Sequence, residues 1–227
     1  MPSTSDRAPD PRPARTKAAI FAAARDLTST DGDVTVNALA KRAGVSRAAF
    51  YSHFSGLDDL MGAMLQQMFD AAWERGGMFA AQGRSVHEAV QFGFAMFVAY
   101  VERHHTFLRG ALDWKFSHRT FMILIDTMTR LHGEALALLG DEVPASLQGA
   151  SAGRSIAGSA LALAAQWLVD TEQRAQEGEA LDATELLETV LRFAPGWYTG
   201  LGPEDPVAAA ELLDLCRSYA PQDVVGA

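Results

Sequence analysis

Residues 35–54 read TVNALAKRAGVSRAAFYSHF, and this pattern predicts two short helices joined by a tight turn. Thr35 and Ser46 stand where the N-caps of the two helices would lie. Gly44 can take the left-handed backbone that the turn requires at little steric cost. Ala40 is small, so that the two helices can cross closely beside it. The stretch therefore has the features of a helix-turn-helix.

The same stretch predicts which side of the second helix faces outward. We expect the inner side to consist of Leu39, Val45, Phe50 and Phe54, and the outer side to consist of Arg47, Tyr51 and Ser52. A short helix whose first turn is exposed has the size to enter a DNA major groove with its N-terminal end.

Outside this stretch the apolar residues recur at helical spacing, and no alternating strand pattern occurs. Ser55-x-x-Asp58 and Ser85-x-x-Glu88 have the form of capping boxes at helix starts, and Asp205-Pro206 is expected to begin the last helix. The predicted fold is all-α, with a three-helix head and a larger helical body. We expect an arm without regular structure at 1–13, the head at 14–58 with its motif at 35–54, and the body at 59–220.

Composition restricts the class of protein further. The chain has 227 residues, 48% of them hydrophobic, and one cysteine, so a disulfide framework within the chain is excluded. No run approaches the roughly 18 uncharged apolar residues that span a bilayer. The polar N-terminus lacks the apolar core of a signal peptide. These features favour a cytoplasmic protein with no membrane partner.

Charge is unevenly distributed along the chain. Residues 1–55 carry a net charge of +3 and the remainder −12, which together give the overall −9. An acidic protein with a basic end presents that end to a polyanion.

The segment from about Arg15 to Phe69 resembles the TetR family of transcriptional regulators, most specifically at 43–47 (AGVSR) and 50–54 (FYSHF). The resemblance implies a homodimer that binds double-stranded operator DNA at an inverted repeat, probes two successive grooves, and is released by a small apolar effector, most simply as a repressor. The residues implied or expected to contact DNA are Thr35, Lys41, Arg42, Ser46, Arg47, Ala48, Tyr51 and His53.

Two positions depart from the family pattern. Ala49 stands where Thr or Ser is common, and Leu57 stands where Lys is common. Each change removes a possible phosphate contact, which lowers the salt dependence of DNA binding by roughly one unit per contact.

The body offers a dimer surface and an effector region. Small residues around Arg154–Trp167 and the helix around Asp182–Ala194 are expected to form a four-helix bundle with a second copy. Aromatic and methionine side chains on the central helices, with three polar side chains, suit an apolar ligand site. The effector-site candidates are Phe92, Met96, Tyr100, His104, Phe107, Trp114, Phe121, Met122, Ile125, Met128, Ser159, Gln166 and Trp167. An ordinary helical core is the alternative interpretation of this set.

The sequence contains no set of residues spaced for catalysis or metal binding, and it indicates no cofactor. We therefore expect no enzyme. Two function classes stay open at this point: a DNA-binding regulator, and a helical ligand-binding or interaction protein that has lost specific DNA binding. The departures at Ala49 and Leu57 favour the second class.

Overall fold

The computed structural model describes residues 12–28, 34–67, 82–113 and 118–219, and every regular element in these ranges is a helix. The all-α prediction is confirmed. The head consists of α1 (Arg12–Thr28), α2 (Val36–Ala43) and α3 (Arg47–His53), and the described part of α4 covers 57–67. The body contains α5 (Val86–Arg103), α6 (His105–Asp113), α7 (His118–Leu139), α8 (Ala150–Asp170), α9 (Glu172–Gln176), α10 (Thr184–Phe193), α11 (Gly196–Thr199) and α12 (Ala209–Tyr219).

The first helix begins earlier than the sequence analysis expects. Residues 12 and 13, assigned to the arm, already belong to α1, because a proline in the first helical turn has no intrahelical N–H bond to lose. The rest of the expected arm, residues 1–11, lies outside the described residues.

Side-chain caps determine where several helices begin. At α5 the Ser85 hydroxyl accepts from the Glu88 N–H at 3.1 Å, and the Glu88 carboxylate accepts from the Ser85 N–H at 2.9 Å, as predicted. At α4 the carboxylate that accepts from the Ser55 N–H at 2.8 Å belongs to Asp59, so the assignment of this role to Asp58 is wrong. Because α4 starts at residue 57, one residue later than a standard box requires, the side chain four positions on reaches the cap.

The prediction that Asp205-Pro206 begins the last helix is also wrong, since α12 starts at Ala209. The Asp205 carboxylate accepts from the Gly202 N–H at 2.7 Å, and its carbonyl accepts from Arg192 at 2.8 Å. Both groups hold a turn before the helix, so neither serves as a helix cap.

Helix α5 lies at the centre of the body and is buried on most sides, by α7, α10, α11 and α12. Helix α8 packs against α7 and α10. Helix α1 packs against α6, so the head is joined to the body by helix packing. In the part of the chain that the structure describes, no helix is both long and apolar enough to cross a membrane.

Candidate nucleic-acid interface and effector region

The turn between α2 and α3 has the geometry that its sequence predicts. The Thr35 hydroxyl accepts from the Ala38 N–H at 3.1 Å, and the Ser46 hydroxyl accepts from the Ala49 N–H at 3.0 Å. Gly44 has φ 67° and ψ 28°, the left-handed conformation that favours glycine. These contacts place α3 firmly against α2 with its first turn accessible.

Aromatic packing holds the inner side of α3. Phe50 is fully buried and Phe54 nearly so. The Phe54 ring stacks on Phe21 of α1 at a centroid distance of 5.8 Å and lies 5.7 Å from Phe50. The head therefore has its own apolar interior, and the orientation of α3 follows from it.

The outer side of α3 presents Arg47, Ala48 and Tyr51, all exposed. Tyr51 is 49% exposed, a large value for an aromatic side chain, and the Arg47 guanidinium lies 6.0 Å from the centre of its ring. A seven-residue helix is about 10 Å long and fits a major groove about 12 Å wide. A cation and a phenol hydroxyl at the tip of such a helix are suited to phosphate and base-edge contacts.

The hydroxyls of Thr35 and Ser46 combine two roles. Each accepts one backbone N–H as a cap, which leaves its own O–H free to donate to a phosphate. Both residues are exposed on the same part of the head as Arg47. Capping and DNA contact are therefore compatible at these positions.

The remaining predicted DNA contacts differ in their surroundings. Lys41 is exposed. Arg42 forms an ion pair with Asp26 of α1, so part of its charge is already balanced within the head. The half-buried His53 lies against Phe54 with ring centroids 6.2 Å apart. Sequence reasoning alone missed the Arg42 pair because its partner is sixteen residues away on another helix.

The two departures from the family pattern have ordinary structural roles. Ala49 is half-buried on α3, and its N–H bonds to the Ser46 cap. Leu57 packs against the apolar core at the start of α4.

The effector-site candidates do not all come together. Phe92, Met96 and Ile125 are buried, and Tyr100 lies against His104 with ring centroids 4.1 Å apart. Others are at the surface or engaged locally: Phe121 is exposed, Met122 contacts Arg154, Gln166 donates to Asp170 at 2.7 Å, and Ser159 donates to the Ile156 carbonyl at 2.9 Å. Met128 is buried, Trp167 meets His105, and Trp114 and the Phe107 side chain lie outside the described residues.

Polar contacts between α6 and the α8–α9 junction were not anticipated from the sequence. The Thr171 hydroxyl donates to the Trp167 carbonyl at 2.6 Å, so its oxygen accepts from His105 Nε2 at 2.8 Å. Burial lowers the pKa of His105. On the same helix the Arg109 guanidinium is paired with Glu172 at 2.9 Å. These contacts attach α6, the helix that packs against the head, to the end of α8.

An open depression at the same junction is polar and acidic. It has a volume of about 730 Å³ and is lined by Val169, Asp170, Glu172, Gln173, Gln176 and Glu177. This chemistry does not suit an apolar molecule, and the depression includes none of the predicted effector residues. Within the described ranges, no group of three or more His, Cys, Asp or Glu side chains could hold a metal ion.

A second buried histidine, His132 of α7, makes stability depend on pH. Burial lowers its pKa from 6.5 to about 4. The unfolded chain therefore takes up the proton first, and stability is complete above pH 6.5 and falls as pH drops toward about 4. The difference corresponds to at most about 3 kcal/mol.

We expect urea unfolding measured between pH 7 and pH 4 to show this loss, and the His132→Phe variant to lose less stability over the same range. Equal pH dependence in the two proteins would mean that His132 does not carry the effect.

Comparison with known proteins agrees with this geometry. Residues 20–64 match the family model of the bacterial regulatory proteins of the tetR family. No curated protein matches the chain. Solved structures of similar fold include Thermus thermophilus FadR, a TetR-family transcriptional repressor in complex with lauroyl-CoA, with a TM-score of 0.63 and 22% identity over 84% of this chain and 98% of that chain.

Two further structures are similar over nearly their whole length. The fatty acid degradation regulator FadR from Bacillus halodurans has a TM-score of 0.58 and 15% identity, covering 83% of this chain and 99% of its own. A protein from Syntrophomonas wolfei assigned to the TetR-family transcriptional regulators has a TM-score of 0.61 and 15% identity, covering 85% and 99%.

The capped α2–α3 pair, with its exposed cation and phenol, defines a helix-turn-helix protein of the transcription-regulator class. The match at 20–64 then identifies the particular family, and the chain is a member of the TetR family.

Proposed function

We propose that this protein is a dimeric transcriptional repressor that places α3 of each copy in successive major grooves of an inverted-repeat operator and is released by an apolar effector. The observation that carries the proposal is the exposed Arg47–Tyr51 pair on a helix whose opposite side is anchored by the buried Phe50. One α3 offers few base contacts, so that two copies are needed for specific binding.

The DNA contacts divide by chemistry. Arg47 and Ala48 face base edges, with Arg47 suited to the two acceptors of a guanine. Tyr51, Thr35, Ser46 and His53 contact phosphates, which fixes the register without reading sequence. Lys41 adds attraction to the backbone, and Arg42 adds less because Asp26 already neutralises part of its charge.

The dimer forms through α8 and α10. The outward side of α8 carries small residues, Ser155 and Ala162 among them, together with the exposed Val169. On α10, which packs beside α8, Phe193 is 70% exposed. Small residues allow close helix approach, and an exposed phenylalanine next to them provides apolar area for a partner copy.

Phe193→Glu is expected to dissociate the dimer. In a two-fold interface the change occurs twice, so the lost apolar burial and the added charge raise the dissociation constant about 100-fold or more. Sedimentation equilibrium measures this constant directly. Leu215→Glu is the matched control, because Leu215 is an exposed apolar residue on α12, and that variant should stay dimeric. Two dimeric variants would exclude this surface.

The effector is an apolar molecule held in the body, among Phe92, Met96, Ile125 and their neighbours. Burial of these aromatic, methionine and aliphatic side chains supports a site of that chemistry. The similar Thermus thermophilus structure is a complex with lauroyl-CoA, which favours an acyl compound as the first class to test.

Coupling between the effector and DNA passes through α6. This helix packs against α1 of the head and is attached to α9 by the Arg109–Glu172 ion pair. An effector that binds more tightly to a body with α6 displaced shifts the dimer to a state whose heads no longer match two grooves.

A protein that binds a ligand but has lost specific DNA binding is the second candidate. The Arg42–Asp26 pair, together with alanine and leucine at positions 49 and 57, reduces the number of phosphate contacts available to the head.

The two candidates are separated by fluorescence anisotropy on duplexes that tile the DNA flanking the gene. A repressor binds one duplex far more tightly than a random duplex, at several salt concentrations, and medium-chain acyl compounds release it. Equal affinity for every duplex would support the second candidate instead.

A further inference from the structure

A buried histidine–tyrosine pair lies between α5, α7 and α11, outside the predicted set of effector residues. The Tyr198 hydroxyl is 2.7 Å from His132 Nδ1, and Tyr198 is almost completely buried. The Phe94 ring lies 5.4 Å from the imidazole and 6.3 Å from the phenol, centre to centre. Part of His132 remains exposed, but its Nε2 atom has no solvent contact and no hydrogen-bond partner within the protein.

Counting protons determines which nitrogen of His132 carries hydrogen. If Nδ1–H donated to the phenol oxygen, both the Tyr198 O–H and His132 Nε2 would be left without partners. If the Tyr198 O–H donates to Nδ1, only one group, the Nε2–H, is left unsatisfied. The second arrangement is therefore preferred, and it leaves a buried N–H donor in the body.

The pair is held in place from the side of α11. His87 Nε2 lies 3.1 Å from the Trp197 carbonyl, and the Gln91 amide donates to the Thr199 carbonyl at 2.7 Å. Both contacts fix the short helix that carries Tyr198 onto α5. The direction of the Nε2–H is thus preorganised, because its phenol partner cannot move away without breaking them.

The donor is aligned with part of the proposed effector region. His132 follows Ile125 by seven residues and Met128 by four, so the three side chains share one stripe of α7. The imidazole is uncharged at neutral pH, because burial lowers its pKa to about 4. A neutral donor gives a carboxylate no ion pair to offset its desolvation, so a neutral acceptor oxygen suits it better.

We propose that the Nε2–H of His132 is a binding contact for the carbonyl oxygen of an uncharged apolar ligand, of the ketone, ester or thioester class. The inference rests on the proposed effector function of the body. His132 and Tyr198 act as one unit in it: His132 contacts the ligand, and Tyr198 is the positioning residue that keeps the hydrogen on Nε2.

The test uses 2-nonanone and 1-nonene, two probes of similar length of which only the ketone has an acceptor oxygen. In full-length protein with ¹⁵N-labelled histidine, long-range ¹H–¹⁵N spectra at pH 7 should show His132 protonated on Nε2. The Nε2 signal should move on titration with 2-nonanone and stay in place with 1-nonene. A signal that neither probe moves, with cross-relaxation to water, identifies a buried water and overturns the proposal.

Variants provide a second measurement. His132→Phe keeps an aromatic ring without the N–H, and should weaken 2-nonanone binding about tenfold while leaving 1-nonene binding unchanged. Tyr198→Phe should weaken ketone binding less and shift the tautomer signal of His132. If His132→Phe does not fold by circular dichroism, His132→Gln replaces it, and partial retention of ketone preference is then expected. Equal loss for both probes overturns the proposal.

Failure of this inference is distinguishable from failure of the proposed function. Absence of specific DNA binding in the wild type contradicts the repressor proposal and leaves the ketone titration valid. An effector that releases DNA equally well from wild type and His132→Phe contradicts the His132 contact and leaves the repressor proposal intact.

Discussion

The double variant Arg47→Ala, Tyr51→Phe should bind the operator at least 100-fold more weakly than the wild type. Arg47 provides the guanidinium at the exposed end of α3, and a bidentate contact with a base is worth about 1–3 kcal/mol. Tyr51→Phe removes only the hydroxyl, so that the ring beside Arg47 is kept and one phosphate contact is lost. Anisotropy titrations on the operator duplex measure the change.

The salt dependence of the same titrations separates the two contacts. Removing one phosphate contact lowers the slope of log affinity against log salt by about one. Loss of a base contact instead reduces the preference for operator over random duplex. Arg174→Ala is the control for charge, since Arg174 is an exposed arginine paired with Glu179 in the body. An equal loss of affinity in that control would show that net charge, and not the α3 surface, determines binding.

Phe50→Ala is expected to destabilise the head by about 3–5 kcal/mol, the usual cost of removing a buried phenylalanine side chain. Phe50 has no exposed surface and touches Phe54, which in turn stacks on Phe21 of α1. The cavity left by the change lies between α3 and the rest of the head, so the position of α3 is lost together with the packing energy.

Amide hydrogen exchange reports this locally. The amides of α2 and α3 should exchange about 100-fold faster or more in Phe50→Ala, whereas those of α8 and α10 should change little. Tyr51→Phe is the matched control, because the exposed hydroxyl supports no packing, and its exchange should equal that of the wild type. Unchanged protection of α3 in Phe50→Ala would contradict the view that this ring anchors the recognition helix.

Features that depend on neighbouring residues were predictable from the sequence. Gly44, Ser46 and the Ser85–Glu88 box act within one turn of the chain, and the structure places each as expected. The error at Asp58 shows the limit of this reasoning. A shift of one residue in the start of α4 moves the capping role to Asp59, and local pattern alone does not resolve such a shift.

Contacts between distant residues were not predictable in the same way. His132 and Tyr198 are 66 positions apart, as are His105 and Thr171. Each histidine looks like an isolated residue when the chain is scanned. Its tautomer and its lowered pKa depend on which helices happen to enclose it, so the signal exists only after packing.

The amino-acid sequence by itself determined the all-α class, the turn at Gly44 and the exposed surface of Arg47 and Tyr51, because helix periodicity, caps and left-handed glycine act over a few residues. Only the tertiary structure decided that Asp26 balances Arg42, that Arg109 ties α6 to Glu172, and that a bare imidazole N–H lies within the body. Those features arise where side chains from separate helices meet. Their charge and hydrogen bonding depend on burial that no local stretch of chain encodes.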